Sequence, residues 1–232
     1  MAFYQSNNAT SNTVKSISFG DGIKNKLSSS FSQSEGTFAF IGYTTLLRTM
    51  DVTNWMQALQ DMNKQTMNQL AIYEGNAANY GNRLRQIWGT EVINNVSCSH
   101  NSLLRGQQGM RFVELGENVT STNFNMAFRN NTNLVRVTNL PSLPNGVSIT
   151  SAFEGCTSLT TINAAGDITE TISFSDSPLN LASAKVILNA LKTVSGKTCT
   201  FSSTTKGYIN GDSEALQLVT AARGSGWTIP LT

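Results

Sequence analysis

The sequence predicts an α+β chain in three consecutive parts: an extended N-terminal arm over 1–47, a long coiled-coil-like helical stalk over 48–89, and a short repeat solenoid with a helical cap over 90–232. Three observations carry this reading. Glycines interrupt every helical period before residue 47. Apolar or large residues then recur at seven-residue spacing from Val52 to Ile87. Beyond residue 90, two apolar patterns superpose at an offset of 25 residues.

The arm mixes Ser/Asn-rich stretches with short apolar groups, among them Phe3, Tyr4, Val14, Ile17 and Phe19. Gly20, Gly22, Gly36 and Gly42 punctuate it. By itself such a segment buries little surface. The expectation is an extended segment that orders by adding strands to a partner, with those five residues as apolar anchors.

Residues 50–88 read as one helix, with Asp51 or Thr53 available to cap its start. Val52, Leu59, Thr66, Tyr73, Tyr80 and Ile87 form one row, and Trp55, Met56, Met62, Leu70 and Leu84 a second, shifted by three or four. Gln69 also falls on the seam, where a polar residue fixes register at a cost in stability. Such a stripe needs cover. That cover is either the rest of its own chain or sister chains; with no other strong amphipathic helix nearby, association into a dimer or trimer is favoured, through Val52, Trp55, Leu59, Met62, Thr66, Gln69, Tyr73, Tyr80 and Ile87. Gly75 and Gly81 are the weak points, where the helix would divide.

In the third part, 127–137 (AFRNNTNLVRV) lies over 152–162 (AFEGCTSLTTI). Phe128 matches Phe153, Leu134 matches Leu159, and Val137 matches Ile162; Cys156 falls inside the second unit as a small core filler. Each unit supplies one short strand with inward apolar residues and a Phe-bearing turn. One unit cannot cover its own apolar face, so the units must stack. Residues 110–115 (MRFVEL) read as the strand of an earlier unit and 171–174 (TISF) as that of a later one. Two further helices, over 181–191 and 213–223, with a closing strand over 227–229, read as the cap.

Composition excludes several classes. Only 13% of residues are charged and the net charge is +2, without a Lys/Arg cluster, so nucleic acid is not an expected partner. Counts of 25 Asn, 26 Ser and 27 Thr give a surface solvated by neutral hydrogen-bonding groups. No signal peptide and no membrane span are read. Cys98, Cys156 and Cys199 are odd in number and widely spaced, so free buried thiols are expected. The one histidine, His100, lacks the constellation that a triad or a metal site needs. The carboxylate pairs Glu114/Glu117 and Asp167/Glu170 have spacings ordinary for surface turns. No catalytic residue, metal or cofactor is predicted, and no enzyme.

The aromatic-containing turn followed by "C/N-x-S/N-L-x-x-I" at Asn131–Val137, with Val in the last place, and at Cys156–Ile162 resembles the leucine-rich repeats of the BspA type, over about 70 residues. That resemblance implies a binding or scaffolding surface. The layout of arm, stalk and β-rich head, with a final GWTI after an Ala-rich helix, resembles bacteriophage virion fibres, and within them the head fibres of crAss-like phages. It implies a homo-oligomeric virion structural protein, anchored through its N-terminal arm to capsid or other virion proteins, with host polysaccharide as a further partner. The other class in view is a bacterial surface adhesin or carbohydrate-binding module.

Overall fold

In the third part, strands recur at near-constant spacing and pair in parallel. A computed structural model describes residues 2–4, 16–18, 37–41, 49–54, 56–57, 66–67, 69–73, 86–88, 90–92, 95 and 97–232. Fifteen strands among these form five three-stranded sheets, with every pairing parallel. Together they make a β-solenoid of about four turns, followed by three helices.

Upstream, β1 (Ala2–Tyr4), β3 (Thr37–Ile41) and β6 (Gln69–Tyr73) form one sheet, with Phe3 opposite Phe40 and Phe40 opposite Ile72. Strands β2 (Ser16–Ser18), β4 (Thr49–Asp51) and β7 (Gln86–Trp88) form a second, with Ile17 opposite Met50 and Met50 opposite Ile87. A third joins β5 (Thr66–Met67), β8 (Ser97–Ser99) and β10 (Thr120–Asn123).

These pairings correct the stalk. Among the described residues of 48–89 no long coiled-coil helix is shown. Helical conformation among the described residues there is confined to Thr53, Asn54, Met56 and Gln57 and to a short 3-10 turn, Thr90–Val92. Of the expected seam, Thr66, Gln69, Tyr73 and Ile87 lie on strands, and Val52 is buried just after β4. Trp55, Leu59, Met62 and Tyr80 lie outside the described residues. The physical reason is legible in QLAIY: Leu70 and Ile72 alternate with polar or small neighbours at the period of a strand. Counting every seventh residue absorbed such alternating positions into a helical row. The arm also differs from expectation. Phe3 and Tyr4 (β1) and Ile17 (β2) sit on strands paired within this chain, whereas Val14 and Phe19 lie outside the described residues.

The repeat region is built more regularly. Strands β9 (Phe112–Glu114), β11 (Arg136–Thr138) and β12 (Thr161–Ile162) align Val113, Val137 and Ile162 across the sheet, all three buried. The turns before these strands stack as well. Backbone amides of Ser102, Leu104 and Gly106 donate to carbonyls of Asn125, Ala127 and Arg129, and those of Met126, Phe128 and Asn130 to Thr150, Ala152 and Glu154. Backbone conformation repeats with the coil: Ser102, Met126 and Ser151 share a left-handed φ of 54–56°, and Gly106, Asn130 and Gly155 one of 63–73°. At Gly155 a Cβ would stand 2.8 Å from the Asn130 Oδ1 and 3.3 Å from its Cα, so φ and the closeness of the coil below both favour glycine there.

Inside, rings form a continuous spine along the axis. His100 meets Phe124 at 5.8 Å, Phe124 meets Phe128 at 5.7 Å, Phe128 meets Phe153 at 5.6 Å, and Phe153 meets Phe174 at 4.7 Å. Phe201 continues it at 6.2 Å from Phe174. Asn131 and Cys156 occupy one position in successive coils and play one role. The Asn131 Nδ2 donates to the Leu104 carbonyl at 2.8 Å, and the Cys156 Sγ to the Phe128 carbonyl at 3.0 Å. Each ties the start of its coil to the turn of the coil before. Phe128, Leu134, Val137, Phe153, Cys156, Leu159 and Ile162 are all buried in this core.

After β12 the strand ladder is taken over by helix α1 (Leu181–Ala190), whose Ser183 hydroxyl accepts from the Ile162 amide at 2.9 Å. The 171–174 segment is therefore not the next strand of that ladder. Its β13 (Ile172–Phe174) pairs instead with β14 (Lys197–Phe201), which pairs with β15 (Trp227–Thr228). Helices α2 (Ser203–Asn210) and α3 (Ser213–Gly224) complete the cap. Asn180, Ser202 and Asp212 cap α1, α2 and α3, each side chain accepting an amide of the first turn. Trp227 is buried and donates from Nε1 to the Lys192 carbonyl at 2.7 Å, which locks the closing strand to the end of α1.

Candidate ligand-binding face

A three-stranded sheet with one buried face presents every second residue outward. In β9, β11 and β12 the inward row is Val113, Val137 and Ile162, so the row beside it (Phe112, Arg136 and Thr161, paired in register) faces out. Phe112 is 51% exposed, the most exposed large apolar side chain among the described residues. The Arg136 guanidinium carbon stands 4.9 Å from the centre of its ring and that of Arg111 5.7 Å. The next outward row places Glu114 opposite Thr138. Among the described residues neither Arg111 nor Arg136 forms an ion pair, whereas Arg129 pairs with Glu154 at 2.7 Å on the turn face.

Directly beyond this sheet the chain enters an open trough of about 490 Å³, lined by residues 116–119, 139–142 and 164–167 of three successive coils. A Cβ added at Gly166 would meet both the Ser142 hydroxyl and the Ser142 amide nitrogen, the latter at 2.6 Å, so two coils approach there too closely for any side chain at 166. Asn139 bridges coils by donating to the Leu115 carbonyl at 3.0 Å, and Asp167 at the rim is 3.3 Å from the Lys192 ammonium.

The other polar candidates serve the fold. His100 is buried, its Nδ1 3.1 Å from the Ser121 hydroxyl; burial pushes its pKa down to about 4, outweighing a hydrogen bond that the ring makes to the Cys98 backbone. It is therefore a neutral ring of the spine. Cys98 is buried beside it, and among the described residues no cluster of three His, Cys, Asp or Glu side chains exists to hold a metal ion. Burial pushes the Cys156 thiol up to about 12 and Cys199 also upward, so neither is a nucleophile near neutral pH. None of the three cysteines is in a disulfide, and all three are buried.

The carboxylates do not act as pairs. Glu170 binds the Lys197 ammonium at 2.8 Å and the Gly146 amide at 2.9 Å. Its partial burial raises its pKa, and these partners overcome that and hold it below the ordinary range. Glu114 and Glu117 stand exposed on the sheet and the trough rim. Among the described residues no helix is long and apolar enough to cross a membrane.

The most exposed ring on this face, Phe112, is a residue that the sequence analysis did not single out. The signal was present in MRFVEL. Once Val113 faces inward, alternation puts Phe112 and Glu114 outside. In comparisons with known proteins, no family model, no curated protein and no solved structure matches the chain.

Proposed function

We propose that this protein is a non-enzymatic attachment subunit, a virion fibre component of the bacteriophage type, whose solenoid presents the β9–β11–β12 face to a host surface. The observation that carries the reading is the cluster of Phe112, Arg111 and Arg136. An aromatic ring half exposed beside two guanidiniums has no packing role, and it sits on a rigid repeat scaffold. The titratable groups most perturbed by burial, His100, Cys156 and Cys199, are sealed in the core, which supports a role without chemistry. A neutral surface rich in Asn, Ser and Thr suits a protein that works outside a narrow salt range.

The test is binding of the full-length chain to an array of bacterial surface polysaccharides, with Phe112→Ala as the control. Retention of the wild type and loss with the variant are expected. A variant that binds every polysaccharide as the wild type does would remove the face from the reading.

A further inference from the structure

We infer that the Phe112 cluster takes the carboxylate of an acidic polysaccharide, a uronate-type chain. This rests on the attachment reading and specifies its ligand. A guanidinium lying over a ring keeps its five N–H donors at its rim, where they match the two oxygens of a carboxylate. Arg136, 4.9 Å from the Phe112 centre, and Arg111, 5.7 Å away, share one ring. Stacking of this kind orders long side chains before a ligand arrives, which lowers the entropy lost on binding. Neither guanidinium has a carboxylate partner among the described residues, whereas Arg129, Lys185, Lys192 and Lys197 all do. The charge is thus available at the face and compensated around it.

The neighbours decide the class of anion. Thr161 lies in register with the cluster, Thr138 stands one outward row on, and Asn163 follows at the exposed end of β12. These are hydroxyl and amide groups suited to sugar hydroxyls. A phosphate polymer or nucleic acid needs a run of cations, and this face has two, with the Glu114 carboxylate one outward position from Phe112. An acidic peptide would need apolar pockets for its other side chains, and no large apolar side chain besides Phe112 is exposed on this sheet.

The experiment measures affinity of the full chain for polygalacturonate, neutral dextran and poly-glutamate, at low and raised salt. Expected is binding to polygalacturonate alone, weakened by salt. It should fall about tenfold in Arg136→Ala, as loss of one charge-assisted bidentate contact implies. Arg136→Lys, which keeps the charge and loses the fork, should restore only part of it, and Arg111→Ala should weaken it less. An unchanged urea midpoint shows each variant folded. Equal binding of poly-glutamate through the same residues overturns the polysaccharide assignment. Dextran binding that needs Phe112 but neither arginine overturns the anion while the attachment reading stands. Binding that is independent of Phe112 for every polymer ends both.

Discussion

The coils of the repeat and the cap that closes them bury similar kinds of side chain by different means. In the coils each role recurs at one address per turn: Asn131 and Cys156 as carbonyl ties, Gly106, Asn130 and Gly155 as left-handed corners, and the phenylalanines as the spine. In the cap each role occurs once: Trp227 pins one strand, and Asn180, Ser202 and Asp212 each start one helix. A coil residue is therefore held from two sides and shares its failure with two neighbours, as expected for stacked units. A cap residue fails locally.

The largest expected effect follows from that contrast. Phe153 touches Phe124, Phe128 and Phe174 at 6.0, 5.6 and 4.7 Å, so it joins three turns of the spine. Phe153→Ala should cost about 4 kcal/mol in urea unfolding. Val219→Ala, in a buried position of α3, should cost about 1–2 kcal/mol, the loss of two buried methyl groups. Equal costs would mean that the spine adds nothing beyond ordinary burial.

Next comes acid. His100 is the only histidine, and its pKa falls from 6.5 to about 4 on folding. The unfolded chain therefore takes up a proton below pH 6.5 that the folded chain refuses until about pH 4, so stability decreases as pH falls through that window. The full loss is about 3 kcal/mol. Carboxylates held below their ordinary range, Glu154 and Glu170, begin to lose their contribution only below about pH 4.5, which leaves the upper part of the window to His100. The double variant His100→Phe with Ser121→Ala, which places at 100 the residue found one coil on at Phe124, should flatten the profile between pH 6.5 and 4.5. A profile that keeps its slope would show that another group titrates there.

Legibility followed regularity. The units at Phe128–Val137 and Phe153–Ile162 were readable because their spacing is constant and their apolar residues coincide. Upstream, partners such as Phe38 and Leu70 or Met50 and Ile87 pair at unequal separations, so no period announces their sheets, and a heptad row imitated a helix. Helix α2 was missed for a related reason. Ser203-Thr204-Thr205 and Gly207 are weak helix formers, and α2 is held by the Ser202 cap and by Thr205, whose hydroxyl donates to the Leu179 carbonyl at 2.9 Å. The ligand face was legible only in part: alternation exposes Phe112, but the approach of Arg136 from the next coil is a property of the stack.

Glycines allow the two regions to be compared with a smaller lesion. Gly155 in the coils and Gly196 in the cap both have positive φ, +73° and +68°, but a Cβ at Gly196 meets nothing within 4 Å whereas one at Gly155 meets Asn130. Gly196→Ala therefore carries the backbone strain alone, about 1 kcal/mol. Gly155→Ala adds displacement of the coil below, for a total of about 2–3 kcal/mol. Equal losses in chemical denaturation would show that the coils separate without cost.

The smallest effect tests the joint between the regions. Glu170 accepts from Lys197 on β14 and from the Gly146 amide, so one carboxylate connects a coil loop to the middle strand of the cap's sheet. Its pKa lies below the ordinary value, so its contribution is present above pH 4.5 and disappears as pH falls through the lower folded value. Glu170→Gln keeps the shape and removes the charge. It should cost about 1 kcal/mol at neutral pH, less at high salt, and nothing at pH values where the native carboxylate is itself protonated. Hydrogen exchange should localise the loss to amides near Gly146 and Lys197, with the spine around Phe153 unchanged. Loss of protection throughout the coils would instead mean that cap and repeat open as one unit.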